Sequence, residues 1–413
     1  MVNINLKIYY MVIKILGDFV NNKIIDKDFF NENIIDVANE ENSQKIYIGR
    51  IYYIAKKHNL VSIMAQAMEK LGFESDSDIW KRWLKEKNQL IYKSVLMDVE
   101  REAIQDFFEK NNIWYMLLKG MVIRKYYPAP ELREMADNDI LFDNKYSKEV
   151  YEFMTARGYK CDDYNKGYHD EYLKPPAYNF EMHRQLVSSK ERPKWYEYYK
   201  DVKSILIKDT NENRETAANS ESNNTSNQFY FSDNDFYVYF IVHTYKHFLN
   251  SGMGLRTVLD VYLYVSNLQE KLDFDYIEEQ LKKLDAYDFE QTFRSIAFKM
   301  FDENLEDRKW WDLFDVKEQE MLSYVLDAGT YGNLENSVAH KMGYTKGEKK
   351  KTSDKAKYIF RRLFPSMDTI EEFFPFFYKH KWAIPFLYIY RIGKIPFTRR
   401  KKVAGELKEV FKK

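Results

Sequence analysis

Arg133-Glu134-Met135-Ala136-Asp137-Asn138-Asp139-Ile140-Leu141-Phe142 runs from polar to apolar, the pattern of a chain turning into a buried strand. Side chains alternate faces along a strand. Asp137 and Asp139 are therefore expected on one face, with Asn138 turned away and Ile140–Phe142 anchored in a core. Two carboxylates a few ångströms apart repel unless a cation lies between them. Magnesium takes oxygen ligands, commonly one or two carboxylates plus phosphates. The pair is a candidate divalent-metal site; a solvated turn with two ordinary Asp is the plainer alternative.

Upstream, Trp114-Tyr115-Met116-Leu117-Leu118 is a short apolar run bounded by Asn111-Asn112 and Lys119-Gly120, which predicts another strand. Met121–Tyr127 predicts a short helix, ended by Pro128 and Pro130. Downstream, Lys148–Arg157 predicts a helix closed by Gly158, and Tyr178–Val187 a third strand. Its alternation puts Asn179, Glu181 and His183 on one face, so Glu181 is a third candidate carboxylate, or else an edge-strand Glu facing water. Gly120 would let a phosphate approach the backbone where a helix begins. Lys119 could offer a triphosphate a point charge.

Further out the pattern is helical. Ile48, Ile51, Tyr52, Ile54 and Ala55 recur at helical spacing, as do Leu60, Ile63, Met64 and Ala67. Ser77 is the expected cap of a long helix reaching Asn111. Residues 208–228 are polar and expected as a flexible loop or linker. Ser232 caps a helix carrying Phe236, Phe240, Ile241 and Tyr245; Leu255–Leu268 and Phe274–Leu284 continue the helical pattern. The expected fold class is α+β, with a small mixed-sheet core at 111–207. A helical region at 1–110 precedes it, and a linker at 208–231 leads to a helical C-terminal domain at 232–413. His243 and His247 share a helix face, but without a His-Glu-x-x-His pattern they do not suggest a zinc hydrolase. Arg256 and Asp260, also four apart, read as an intrahelical pair, or with Arg256 at a cleft between the domains.

The 64 basic residues balance the 64 acidic ones, so no global field favours a long nucleic acid. The single cysteine, Cys161, excludes an intrachain disulfide or a cysteine-built zinc site. Met1–Val20 lacks a signal-peptide pattern, and no apolar run reaches membrane-spanning length; a cytoplasmic protein is expected. Phe376–Lys402 mixes aromatics with Lys and Arg. A packed helix with an exposed basic tail is the plainer reading, and peripheral contact with an anionic membrane the other.

Taken in order, several pieces resemble an uncharacterised bacterial nucleotidyltransferase family of the DNA polymerase beta-like superfamily, over residues 90–300. They are Leu117-Leu118-Lys119-Gly120, Tyr126-Tyr127-Pro128, Leu132-Arg133, Asp137-Asn138-Asp139-Ile140-Leu141-Phe142 and Phe180-Glu181-Met182-His183. His243 with His247, and Gly254-Leu255-Arg256 with Asp260, complete the set. The resemblance implies Mg2+ or Mn2+, an NTP donor and an unidentified acceptor hydroxyl. Asp137, Asp139 and Glu181 would hold the ions, and Lys119 and Gly120 would contact phosphates. Arg133 would contact a phosphate or the acidic site, or pair with Glu131 or Glu134. His183 would be a ligand, a partner of one, or a structural histidine. One departure stands out: the superfamily carries Gly-Ser or Gly-Gly at its first motif, whereas Met121 follows Gly120 here. The alternative is a non-catalytic module of the same fold, acting through its basic aromatic surface.

Overall fold

A computed structural model of the chain describes residues 2–24, 27–35, 46–176, 178–190, 192–210, 226–250, 252–301, 307–330, 338, 352–394 and 410. A short parallel pair, β1 (Ile34–Ile35) and β2 (Ile46–Tyr47), lies near the N-terminus. The main sheet contains β3 (Tyr115–Leu117), β4 (Asn138–Phe142), β5 (His169–Lys174), β6 (Tyr178–His183), β7 (Ile207–Lys208) and β8 (Gln228–Tyr230). Their order is β5-β6-β4-β3-β8-β7. Antiparallel and parallel pairings alternate across it, so the sheet is mixed.

The three strands expected from sequence are β3, β4 and β6. The last stops at His183 rather than Val187, because the Arg184 N–H turns back to the Tyr168 carbonyl. β5 was not expected. It is an edge strand, and its Glu171 and Lys174 are the charged residues that an edge tolerates; only Asp170 and Tyr172 are buried within it. Lys208 and Gln228–Tyr230, from the stretch read as linker, also join the sheet, while 211–225 lie outside the described residues.

α5 (Asp78–Lys110) ties the layers together. Ser77 caps it as expected, accepting from the Trp80 N–H. Its 33 residues span about 50 Å at the rise of an α-helix. Its first half buries Trp80 and Trp83 beside α3 (Ile48–Lys57) and α4 (Val61–Lys70). Its second half buries Ile104 and Phe108 on one sheet face, with Ile140, Phe142, Phe180, Met182 and α7 (Ser147–Ala156). The alternate residues Met116, Leu118 and Leu141 belong to the other core. That core also holds residues of α1 (Val2–Val20), α9 (Asp233–Asn250), α10 (Leu255–Leu268), α12 (Tyr287–Phe301) and α13 (Val316–Ala328). The architecture is α+β.

No helix of the described residues is long and apolar enough to cross a membrane. In the C-terminal stretch, Ala383 and Leu387 pack inward, but Phe376, Trp382, Phe386, Ile389 and Tyr390 are exposed. The packed-helix expectation therefore holds for only part of 376–394, and 395–402 lie outside the described residues.

Candidate active site

A tight turn follows β3. The Leu118 carbonyl accepts from the Met121 N–H at 3.1 Å, and Lys119 between them has φ 49° and ψ −114°. This is the second position of a type II′ turn, where glycine is usual. Holding an L-residue there stores strain of ~1–3 kcal/mol. The strained residue carries the lysine that reaches β4: its Nζ lies 2.6 Å from Asp139 Oδ1.

Gly120 has a different task from the expected one. A Cβ there would stand 2.4 Å from Arg133 Nη1, so the close approach that glycine permits is taken by a guanidinium. Arg133 in turn donates through Nε and Nη2 to both oxygens of Asp260, at 2.8 and 2.7 Å. Tyr127 donates to the same carboxylate at 2.7 Å. The expected Arg256–Asp260 pair is therefore not formed, and Arg133 pairs with neither Glu131 nor Glu134. The bidentate fork fits a planar guanidinium better than a single contact along one helix would. Arg256 instead donates to the Glu134 carbonyl at 2.6 Å and lines the cleft. Its buried Nε has no hydrogen-bond partner among the described residues.

Strand register assembles the rest. β4 and β6 are parallel with Asp139 opposite Glu181, and β5 and β6 are antiparallel with His169 opposite His183. Period-two alternation then turns Asp139, Glu181, His183 and His169 to one face. His183 Nε2 lies 2.9 Å from Asp139 Oδ1 and 3.4 Å from Glu181 Oε2. His169 Nε2 is 3.8 Å from Glu181 Oε2. Asp139, Glu181 and His183 each offer a ligand atom, all within 4.8 Å of one another. Asp137, just before β4, lines the same cleft; His183, rather than Asp137, completes the tight cluster.

The charges are arranged to balance. Burial pushes Asp139 up, but the Lys119 ammonium and the His183 bond outweigh it and hold the carboxylate far below its ordinary range. Burial likewise opposes ionisation of Glu181, and its bond from His183 prevails. Lys119 is desolvated, yet the Asp139 charge holds it protonated, well above its usual value. Asp137 differs: burial and the neighbouring Asp139 charge raise it to about 6. Burial and the His183 charge lower His169 to about 4. The two anions are thus met by the Lys119 ammonium and the hydrogen bond from His183, while the flanking acid and imidazole are pushed towards neutrality.

The opposite wall is α9. His243 and His247 approach with Nε2 atoms 2.8 Å apart. Lys246 donates to the Tyr168 hydroxyl at 2.5 Å. The cleft between the walls holds about 280 Å³. Sequence reading missed Tyr168, His169 and Lys246. The alternation in Tyr168–Leu173 was the only available signal, and its charges masked it.

No curated protein and no solved structure matches the chain. A family model described as an uncharacterised nucleotidyltransferase matches residues 44–302, from before α3 to the end of α12. That span contains every residue of the cleft's sheet wall and the histidine pair of α9, and the chain belongs to this uncharacterised nucleotidyltransferase family.

Proposed function

We propose that the chain transfers a nucleoside monophosphate from an NTP to an acceptor hydroxyl, assisted by Mg2+ or Mn2+. The convergence of Asp139, Glu181 and His183 beside Lys119, in a cleft of a nucleotidyltransferase-family chain, carries this reading. The donor set fits a divalent ion, since two ionised carboxylates and an imidazole lie within 4.8 Å. Asp139, Glu181 and His183 would hold it, with Asp137 alongside. When bound, such an ion supplies charge that clamps phosphate oxygens and the attacking and leaving oxygens of a displacement. Lys119, 2.6 Å from Asp139 Oδ1, would be the cation that meets the donor's phosphates, in place of the serine that the superfamily carries where Met121 stands here. The unpartnered Nε of Arg256 is a second donor facing the cleft. Glu181, besides holding the ion, would take up the acceptor hydroxyl's proton. The test is Mn2+-dependent binding of a non-hydrolysable NTP, followed by pyrophosphate release across acceptor hydroxyls. Asp139→Asn and Glu181→Gln should abolish both; nucleotide binding indifferent to Mn2+ and to both substitutions would sink the reading.

The alternative reading, a non-catalytic module of the same fold docking on an anionic membrane surface, is supported by the exposed Phe376, Trp382 and Phe386 interleaved with Lys379 and Lys381. Cosedimentation with phosphatidylglycerol vesicles should fall in Trp382→Ala with Phe386→Ala; unchanged cosedimentation rejects the docking.

A further inference from the structure

His243 and His247 lie one turn apart on α9, and their side chains meet nitrogen to nitrogen. The Nε2 atoms are 2.8 Å apart, and the ring planes cross at 70°. Two imidazole nitrogens bound to one ion, each about 2.1 Å from it, stand about 3.0 Å apart at an octahedral right angle and about 3.4 Å apart at a tetrahedral angle. The pair is already within a few tenths of an ångström of the octahedral spacing, and a small side-chain rotation reaches the tetrahedral one. The i, i+4 placement is also the one by which two histidines of a single helix reach one ion. His247 is exposed at the mouth of the cleft while His243 is half-buried, so an ion has a way in from solvent.

A hydrogen bond between two neutral imidazoles near water adds little to folding, because water bonds each ring about as well. What the arrangement does supply is two imidazole nitrogens brought to one point. In the observed contact one Nε2 must carry the shared proton. An ion takes that proton's place once the donating ring shifts to its Nδ1–H tautomer, with no net change in charge on either ring.

We propose that His243 and His247 form a two-imidazole chelate for a divalent transition-metal ion of the Zn2+, Co2+ or Ni2+ kind. Imidazole suits these ions, whereas Mg2+ prefers oxygen. The cleft thereby carries two chemically distinct cation positions. One is oxygen-rich, on the sheet; the other is nitrogen-only, on α9, with its remaining coordination positions open to water or to a phosphate oxygen. The α9 position rests on the imidazole pair and not on the nucleotidyl-transfer reading.

The test titrates Co2+ into the untagged full-length chain in excess Mg2+, following visible absorption. The imidazole nitrogens are followed by 15N NMR during a parallel Zn2+ titration. The expected result is a Co2+ spectrum with nitrogen ligation, and Zn2+-dependent shifts of two Nε2 resonances. Affinity should fall roughly tenfold or more in His243→Gln and in His247→Gln. The signal should persist in Asp139→Asn with Glu181→Gln, even if that variant is inactive. His247 is exposed, so its substitution decides the matter should His243→Gln fold poorly. Co2+ binding that is absent, or unaltered in His247→Gln, or lost only in the carboxylate variant, overturns the proposal.

Discussion

Lys119 and Gly120 do neighbouring but opposite jobs, and each can be tested by one substitution. Lys119→Met leaves buried Asp139 with His183 as its remaining neutralising partner. Breaking such a pair costs ~3–5 kcal/mol, and a divalent ion at Asp139 should restore much of it. Thermal unfolding with and without Mn2+ should therefore show a larger metal-induced rise in Lys119→Met than in the wild type; equal rises would mean that the acidic cluster takes no cation. Gly120→Ala drives a methyl group to within 2.4 Å of Arg133 Nη1 and dislodges the fork on Asp260. Its cost in urea denaturation is expected to approach that of Asp260→Asn, ~2–4 kcal/mol. The double variant should cost much less than the sum, since both break one interaction. Strand alternation and the order of the pieces raised the expectation that Lys119, Gly120, Asp137, Asp139 and Glu181 lie near one another, and all five line one cleft. The sequence did not show that Arg133 meets Asp260, because 127 residues separate them and both had nearer candidates of opposite charge.

Among the elements, legibility followed burial. β3, β4 and β6 are central and apolar on at least one face, so their period was visible. β5 is a charged edge, and β7 and β8 are too short for any period to register. Their places are set by partners far along the chain, as in the pairing of Tyr115 with Gln228. α5 was legible from its Ser77 cap, but not its role as a strut sunk into two different cores. Its middle is comparatively open, with Tyr92, Val95 and Val99 exposed. Val95→Pro should break the strut there at a cost of ~3 kcal/mol or more and uncouple the two cores. Circular dichroism and tryptophan fluorescence in urea, expected to coincide in the wild type, should then report separate transitions. Val95→Gly, costing ~0.5–1 kcal/mol, should keep them coincident. Coincident transitions in Val95→Pro would show that other contacts suffice to join the cores.

At the scale of the whole molecule, the helical frame closes on one buried imidazole. His58 Nδ1 accepts the Leu255 N–H at 3.1 Å. Tyr9 gives its proton to the Leu326 carbonyl at 2.7 Å, so its oxygen accepts from His58 Nε2–H at 3.3 Å. One neutral ring, at the end of α3, thus joins α1 to α10, and Tyr9 carries the link on to α13. Burial, aided by the adjacent Lys57 charge, lowers its pKa to about 3, against about 6.5 in an unfolded chain. As pH falls, the unfolded chain takes up the proton first. This contribution to stability is complete above pH ~6.5 and is lost by about 1.4 kcal/mol per pH unit on the way down to the folded value. Urea denaturation between pH 6 and 4 should give a slope shallower by about one proton in His58→Gln, even though that variant starts less stable at pH 7. An unchanged slope would mean that the ring is not held neutral.

The β7–β8 hairpin closes the ends of the segment at 211–225. Ile207 pairs with Tyr230 and Lys208 with Phe229, and the Asp209 N–H reaches the Gln228 carbonyl at 2.9 Å. β7 is the strand farthest along the sheet from β5, beyond β8 and β3. The hairpin is therefore a natural splice point. A two-residue Asn-Gly turn, or a whole fluorescent reporter, grafted between its strands should leave nucleotide and metal titrations as they were. It would also give a handle for fixing the molecule to a surface with its mouth free.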